Sequence, residues 1–187
     1  MDIDGVLNGF DFSEYIKYNL WKLVPFKSIK NFIREKLSHF AEIDKKRVKR
    51  LAKICKKTGA KIVISSSWRS GLLTNDNERK TEYDHTKLFW KWIDYYNIEV
   101  IGKTPRLRTS HDRQDEIVAW LSANQYKYNI EKFVVLDDEN ADLQLFVNSN
   151  LVKTSYKGYY RAICNEMRWV GLTNKYVKQA IGILNGE

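Results

Sequence analysis

Cysteine, histidine and long apolar runs are all scarce in this chain of 187 residues. Two cysteines, Cys55 and Cys164, cannot supply the disulfide framework of a small secreted domain, so a reducing interior fits better. Three scattered histidines lack the spacing of a zinc site. No apolar stretch approaches the roughly 18 residues of a membrane-spanning helix. The acidic N-terminus also lacks a charged-then-apolar leader, so we expect a cytoplasmic protein without membrane contact.

Acidic residues are too few to balance the basic ones. Lysine and arginine number 32 against 23 aspartates and glutamates, which gives a net charge of +9. This excess favours polyanionic partners, although solubility and sequence bias explain it equally well. Abundant Lys, Asn, Ile and Tyr beside only two prolines are typical of an A/T-rich genome, which fits a viral origin. At 43% hydrophobic and 29% charged residues, we expect one globular domain.

Apolar segments along the chain predict strands that alternate with helices. The expected strands cover residues 61–65, 99–101 and 132–137, with another from 151. The expected helices cover residues 44–58, 85–96 and 112–123, with another after Thr173. Asp44 is predicted to cap the first of these helices and Gly59 to end it, while the polar residues 70–84 predict a loop. Such alternation predicts an α/β fold with a parallel, doubly wound sheet.

Polar residues follow several predicted strands, and the first acid pair suits a divalent cation and a covalent phosphate intermediate. Asp2 and Asp4 leave the same face of an extended segment, because the strand period is two. One apolar strand ends in Ser65–Ser67, and another ends in Asp137–Asp138. Arg113 stands at the start of an amphipathic helix. In a parallel sheet the carboxyl ends of the strands form one edge, where we expect a site.

These motifs, taken with Ile64–Arg69, Glu116–Leu121 and Gly171–Thr173, resemble the haloacid dehalogenase-like (HAD) phosphohydrolases over about residues 1–186. The resemblance is more specifically to the HAD domain associated with RNA-repair proteins, a relative of the polynucleotide 3'-phosphatases. It implies a three-layer, doubly wound, Rossmann-like core within a single domain, 1–187, and a short helical cap insertion at 10–43. It would also place a strand before Asp2. Only Met1 is available for it, so either the true start lies upstream or the domain is truncated.

The resemblance implies a catalytic role for each motif. Asp2 would be the nucleophile that forms an aspartyl-phosphate. Asp4 would protonate the leaving oxygen and then activate the hydrolytic water. Ser65 or Ser66 would hold a phosphoryl oxygen, and three consecutive serines leave that register open. Arg113 would neutralise charge on the nucleophile and the transferred phosphoryl group.

A Mg2+ site is implied by the same set of carboxylates. Its ligands would be Asp2, the carbonyl of Asp4, and one of Asp137 and Asp138. Asp142 would serve in the outer shell. Without Mg2+ the clustered carboxylates should repel one another and bind phosphate poorly.

Further residues are candidates for contact with the substrate. Ser67 and Arg69 would line the entrance to the site. Lys103 competes with Arg113 for the cationic role, because it follows a short predicted strand. Trp68 fits core packing better than a platform for base stacking.

The leading interpretation is a Mg2+-dependent phosphomonoesterase that acts on nucleic-acid ends, in particular a 3'-phosphate, or on nucleotides. A small-metabolite phosphatase is the alternative among enzymes. A non-catalytic nucleic-acid-binding module on a degenerate HAD scaffold is the alternative of another class; the missing first strand favours it and the intact acid pairs oppose it. Basic and aromatic residues interleave over 153–161, which suits single-stranded nucleic acid or an aromatic core beside a solvated face.

Overall fold

The computed structural model describes residues 1–8, 43–74, 77–82, 84–110, 112–154 and 171–187. The predicted cap-like insertion at 10–43 lies outside the described residues except for Ile43. Most of the basic and aromatic segment 153–161 and Cys164 also lie outside them.

Five α-helices occur in the described residues. They are α1 (Lys45–Thr58), α2 (Arg69–Leu72), α3 (Asp84–Tyr95), α4 (Arg113–Tyr128) and α5 (Asn174–Asn185). Four of them confirm predicted helices, but α2 extends from Arg69 into the segment 70–84, which was expected to be a loop. That expectation was wrong there because the side chains of Arg69 and Leu72 are buried and the backbone closes a helical turn after Trp68. None of these helices is long and apolar enough to cross a membrane.

Helix α1 begins and ends as its sequence predicts. The Asp44 carboxylate accepts a hydrogen bond of 2.9 Å from the Lys46 N–H, which satisfies a free donor at the helix start. Gly59 has a φ of +71° and its N–H donates to the Cys55 carbonyl at 2.8 Å. A left-handed residue at this position favours glycine, and it stops the helix. The local sequence therefore determines both boundaries.

The described residues contain four short strands, which form two parallel pairs. The strands are β1 (Ile62–Ile64), β2 (Val100–Lys103), β3 (Val135–Asp137) and β4 (Leu151–Lys153). Strand β1 pairs with β2, and β3 pairs with β4, in both cases in parallel. The predicted strands at 61–65 and 132–137 are present but shorter than expected.

The N-terminal residues join the two strand pairs. The Met1 nitrogen donates to the Val63 carbonyl, and the Ser65 N–H donates to the Met1 carbonyl, each at 2.8 Å. This alternation is the pattern of parallel pairing. On the other side, the Asp2 N–H donates to the Leu136 carbonyl at 2.8 Å. The spatial order is therefore β2, β1, Met1–Asp2, β3, β4, and Asp2 lies between the ends of β1 and β3.

Neighbouring residues of β3 and β4 belong to two separate apolar clusters. Val135 and Leu151 pack with Ile117 of α4, whereas Leu136 and Val152 belong to the larger cluster that includes residues of α1, α3 and α5. Because successive strand residues point to opposite faces, both faces of this strand pair are covered. The α/β class is confirmed, while a three-layer, doubly wound core for the whole chain stays a prediction.

Candidate functional site

Three buried carboxylates meet where the strands end. Asp2, Asp137 and Asp138 each contribute an oxygen to a group whose atoms lie within 4.8 Å of one another. Burial raises the pKa of Asp137 to about 6, against the opposing charge of Arg113. Burial also raises the pKa of Asp138 to about 7, and the charges of Asp137 and Asp2 add to that effect. The cluster thus holds negative charge that its surroundings disfavour.

Arg113 supplies positive charge to this cluster from the first turn of α4. Its Nη1 atom lies 3.0 Å from an Asp2 oxygen and 2.7 Å from an Asp137 oxygen. Burial opposes the charged guanidinium, but the two carboxylates outweigh that effect and raise the pKa of Arg113. The Arg113 backbone N–H donates to the Asp142 carboxylate at 3.3 Å, so Asp142 helps to position the start of α4.

Backbone groups hold the remaining oxygens of two of these carboxylates. The Ile3 N–H donates to Asp2 Oδ1 at 2.8 Å, and the Glu139 N–H donates to Asp137 Oδ1 at 3.0 Å. Each of these two side chains therefore presents its other oxygen toward Arg113. Three carboxylates at this separation are the hard oxygen donors that Mg2+ prefers, so the cluster fits a divalent cation.

Close packing at Gly5 explains why glycine follows the first acid pair. Its φ is +66°, and a Cβ placed there would lie 2.4 Å from the Asp138 Cβ. Any larger residue would collide with the cluster, while the conformation itself favours glycine. The Gly5 carbonyl also accepts a 2.7 Å hydrogen bond from the hydroxyl of Thr154. The turn after Asp4 is thereby pressed against the end of β3 and against the residue that follows β4.

Asp4, two residues after Asp2, has both of its carboxylate oxygens held by side chains. The Trp68 Nε1–H donates to Oδ2 at 3.0 Å, and the Asn8 amide donates to Oδ1 at 2.9 Å. Sequence reasoning assigned Trp68 to core packing, and the indole does pack against the core. The hydrogen bond to Asp4 was missed. No local signal reveals it, because the two residues are 64 positions apart.

The three serines after β1 differ in exposure and contacts. Ser65 and Ser66 are buried, while Ser67 is exposed. The Ser65 hydroxyl accepts a 3.4 Å contact from the Thr104 hydroxyl, and Ser66 Oγ accepts from the Trp68 N–H at 3.3 Å. Ser65 and Ser66 thus lie at the end of β1 next to the Met1–Asp2 segment.

Two basic residues that were predicted to belong to the site, Arg69 and Lys103, make their described contacts outside the cluster of Asp2, Asp137 and Asp138. Arg69 forms a buried ion pair with Glu116 at 2.7 Å. Lys103 donates to the Leu73 carbonyl at 2.9 Å, and its pKa is lowered by burial and by neighbouring cations. Of the two candidates for the cationic role, Arg113 is the one brought to Asp2 and Asp137.

A cavity of about 420 Å3 borders the beginnings of β1 and β3. Its lining is largely apolar and includes residues of α1 and α4. Of the candidate site residues, only Ser65 borders it. The cavity is therefore separate from the carboxylate cluster.

Comparison with known proteins identifies the family of this chain. A family model described as the HAD domain in Swiss Army Knife RNA repair proteins matches residues 1–159, a range that contains every candidate site residue. No curated protein and no solved structure matches the chain. The matched range covers most of the 187 residues and holds the acid pairs, the serines and Arg113 in order. The chain therefore belongs to the family of HAD domains found in Swiss Army Knife RNA repair proteins.

Proposed function

We propose that this protein is a Mg2+-dependent phosphomonoesterase that acts through an aspartyl-phosphate on Asp2. The observation that carries this proposal is the placement of Asp2 in a buried carboxylate cluster, 3.0 Å from the guanidinium of Arg113. Membership of the HAD family supports a phosphohydrolase with a phosphorylated substrate and a link to RNA repair. The metal, the intermediate and the substrate are parts of the proposal.

Asp2 acts as the nucleophile because both oxygens of its carboxylate are held in place by neighbouring donors. The Ile3 N–H holds one oxygen, and Arg113 holds the other. Attack by one carboxylate oxygen on phosphorus forms an acyl phosphate and expels the substrate alkoxide. Arg113 offsets the charge that accumulates on the phosphoryl oxygens.

Asp4 acts as the general acid in the first half of the reaction and as the general base in the second. It donates a proton to the leaving oxygen. The resulting carboxylate then takes a proton from the water that attacks phosphorus, and this attack breaks the bond between phosphorus and the Asp2 oxygen and releases inorganic phosphate. The hydrogen bonds from Trp68 and Asn8 keep its side chain in one orientation. Ser65 or Ser66 holds a phosphoryl oxygen, a role that suits their place at the end of β1.

The proposed metal ligands are Asp2, the Asp4 carbonyl, and Asp137 or Asp138. When bound there, Mg2+ would reduce the repulsion between these carboxylates and an incoming phosphate. Asp142 supports the site from outside through the backbone of Arg113. Ser67, Arg69 and Lys103 stay proposed substrate contacts, and Ser67 is the exposed one of the three.

The favoured substrate is a nucleic-acid end that carries a 3'-phosphate. The RNA-repair family and the net charge of +9 support this choice over a small metabolite. A single domain, 1–187, with a three-layer core and a short cap at 10–43 would leave room for such a polymer. A non-catalytic binding module is the competing proposal, and turnover separates the two.

Phosphate release from matched substrates tests the proposal. The substrates are 3'-phosphorylated and 5'-phosphorylated oligonucleotides, mononucleotides and a small-metabolite phosphate, each with Mg2+ or EDTA. We expect release from the 3'-phosphorylated strand that EDTA abolishes and that Asp2→Asn lowers by at least about a thousandfold.

Asp84→Asn is the matched control, because Asp84 is fully exposed at the start of α3. It should turn over like the natural protein. Substantial activity in Asp2→Asn would contradict the role of Asp2 as nucleophile. No release from any substrate by folded protein would favour the non-catalytic binding module.

A further inference from the structure

Helices α1 and α5 carry the entire excess of positive charge. Helix α1 contains eight basic residues and α5 contains two, and neither helix contains an acid. The net charge of the chain is +9, so the ten cations leave the rest of the sequence with a net charge of −1. Among the residues that the structure describes, the positive excess therefore lies on this helix pair.

The lysines of this pair face solvent, and we call them the basic face. They are Lys45, Lys46, Lys49, Lys53, Lys56, Lys57, Lys175 and Lys178, all exposed. The arginines of α1 turn elsewhere: Arg47 is buried and pairs with Asp44, and Arg50 donates to the Leu172 carbonyl. In the described part of the chain, no carboxylate forms an ion pair with a lysine of the basic face.

The two helices lie side by side and start at the candidate active site. They pack against each other, and Arg50 ties α1 to the residue two positions before α5. The Asp44 N–H donates to the Leu7 carbonyl at 2.9 Å, and the Leu172 N–H donates to the Val6 carbonyl at 2.8 Å. Both helices thus begin against the turn that follows Asp4. From there α1 extends for about 20 Å, since each residue adds about 1.5 Å.

The chemistry of the basic face suits a linear polyanion. Lys49, Lys53 and Lys57 recur every fourth residue, about 6 Å apart along the helix. None of the exposed large hydrophobic residues in the described chain lies on α1 or α5. An amphipathic helix that enters a membrane surface needs such residues, so a lipid partner fits poorly. Phosphates along a nucleic-acid strand match both the charge and the repeated spacing.

We propose that the basic face binds the phosphate backbone of a nucleic-acid strand and leads its end toward the turn after Asp4. Binding by phosphate contacts alone is independent of base sequence and strongly dependent on salt. The binding itself does not depend on the proposed phosphatase activity. Only the direction of the strand, with its end at Asp2, rests on that proposed function.

Equilibrium binding to a short single-stranded RNA with a 3'-hydroxyl end tests this proposal. The probe carries a fluorophore at its 5' end, and anisotropy is measured in EDTA, so turnover plays no part. The variant K49Q/K53Q/K57Q removes three charges from the basic face. The control K91Q/K127Q/K132Q removes three exposed charges elsewhere.

We expect the basic-face variant to bind at least about tenfold more weakly than the natural protein at low salt. Its plot of log affinity against log salt should lose about 2 units of slope, since each lost contact to a single strand removes about 0.7. The control should retain nearly the natural affinity and slope. Equal losses of affinity in both variants would mean that net charge alone explains RNA binding, and this would overturn the proposal. No loss of affinity in either variant would also overturn it.

Two further measurements separate the remaining possibilities. Phosphatidylserine vesicles replace the RNA in one; binding of vesicles by a protein that ignores RNA would overturn the proposal in favour of a membrane. In the other, both triple variants are assayed on p-nitrophenyl phosphate and on 3'-phosphorylated RNA. The basic-face variant should raise KM for the RNA alone. No hydrolysis of either substrate would contradict the proposed function and leave the RNA-binding comparison valid.

Discussion

Both oxygens of the Asp4 carboxylate accept hydrogen bonds from side chains of the protein. Trp68 and Asn8 each donate to a different oxygen, and Asn8 Oδ1 in turn accepts the Gly5 N–H at 2.7 Å. A carboxylate restrained on both oxygens has one orientation, which suits a group that must meet a substrate oxygen. Trp68 is in this respect a positioning residue, because it would act on the reaction through Asp4.

Replacement of Trp68 by phenylalanine tests this positioning role. The ring keeps most of its packing, but the N–H donor to Asp4 is lost. We expect kcat on a nucleoside 3'-phosphate to fall by about 10- to 100-fold, because its poor leaving group needs a well-placed acid. Turnover of p-nitrophenyl phosphate, whose leaving group needs little protonation, should fall much less.

Trp92→Phe is the matched control, since Trp92 lies on α3 and contacts Lys45 instead of the carboxylates. A purely structural role for Trp68 would lower turnover of both substrates by the same factor. Thermal unfolding of both variants reports any loss of packing separately from the catalytic effect.

Helix α4 is positioned by a buried ion pair one turn after Arg113. Arg69 of α2 and Glu116 of α4 lie 2.7 Å apart, and both side chains are close to nine-tenths buried. Helix α2 directly follows the serine segment, so the pair connects the Ser65–Ser67 end of β1 with the helix that carries Arg113. The predicted entrance residue Arg69 therefore has an observed contact that links two elements.

Glu116→Ala should destabilise the fold and lower activity together. Removal of one partner leaves the Arg69 guanidinium buried without its counter-charge, which costs about 3–5 kcal/mol. Thermal unfolding should show this loss, and kcat should fall because α4 no longer holds Arg113 against Asp2. The comparison is Asp94→Ala, which removes the exposed partner of Arg79 and should cost less than about 1 kcal/mol. Similar losses in the two variants would contradict the linking role.

At the scale of the molecule, the described residues place the buried carboxylates and the excess of lysines on different elements. The buried carboxylates gather at the strand ends, while the excess lysines cover α1 and α5. The acidic cluster contains three carboxylates against one guanidinium, so its folded state gains from a further cation or from protons. The stability of the protein should therefore depend on both Mg2+ and pH.

Asp138→Asn tests the charge balance of the folded protein in EDTA. The pKa of Asp138 is raised to about 7, chiefly by burial, so the folded state binds its proton more tightly than the unfolded state does. Stability from such a group is present at low pH and is lost as pH rises through the folded pKa. At about pH 8 the variant should be more stable than the natural protein by at least about 1 kcal/mol, or roughly 2–4 °C in Tm.

This difference should shrink toward about pH 5, where the natural Asp138 is protonated in the folded state. Millimolar Mg2+ should raise the Tm of the natural protein more than that of the variant, because the variant lacks one carboxylate of the cluster. Asp84→Asn serves again as the exposed control. A Tm difference that does not change with pH would refute the electrostatic explanation.

Local sequence determined much of this protein. The caps of α1 at Asp44 and Gly59, the apolar cores of the strands and the start of α5 after Thr173 depend on neighbouring residues, so the sequence alone predicts them. The acids and serines at strand ends were predictable for a different reason, because in a parallel sheet the strand ends that carry them meet at one edge. The family resemblance added the roles of these residues, and the family match confirms the resemblance.

Only the tertiary structure decided how distant residues pair. It brought Arg113 to Asp2, Trp68 to Asp4 and Glu116 to Arg69. These contacts join residues 47 to 111 positions apart, and no local propensity carries information on them. It also placed residues 70–72 in helix α2 where a loop was expected, because burial of Leu72 outweighed the polar composition of the segment that follows. Local signals define elements, whereas packing of the whole chain selects which side chains meet.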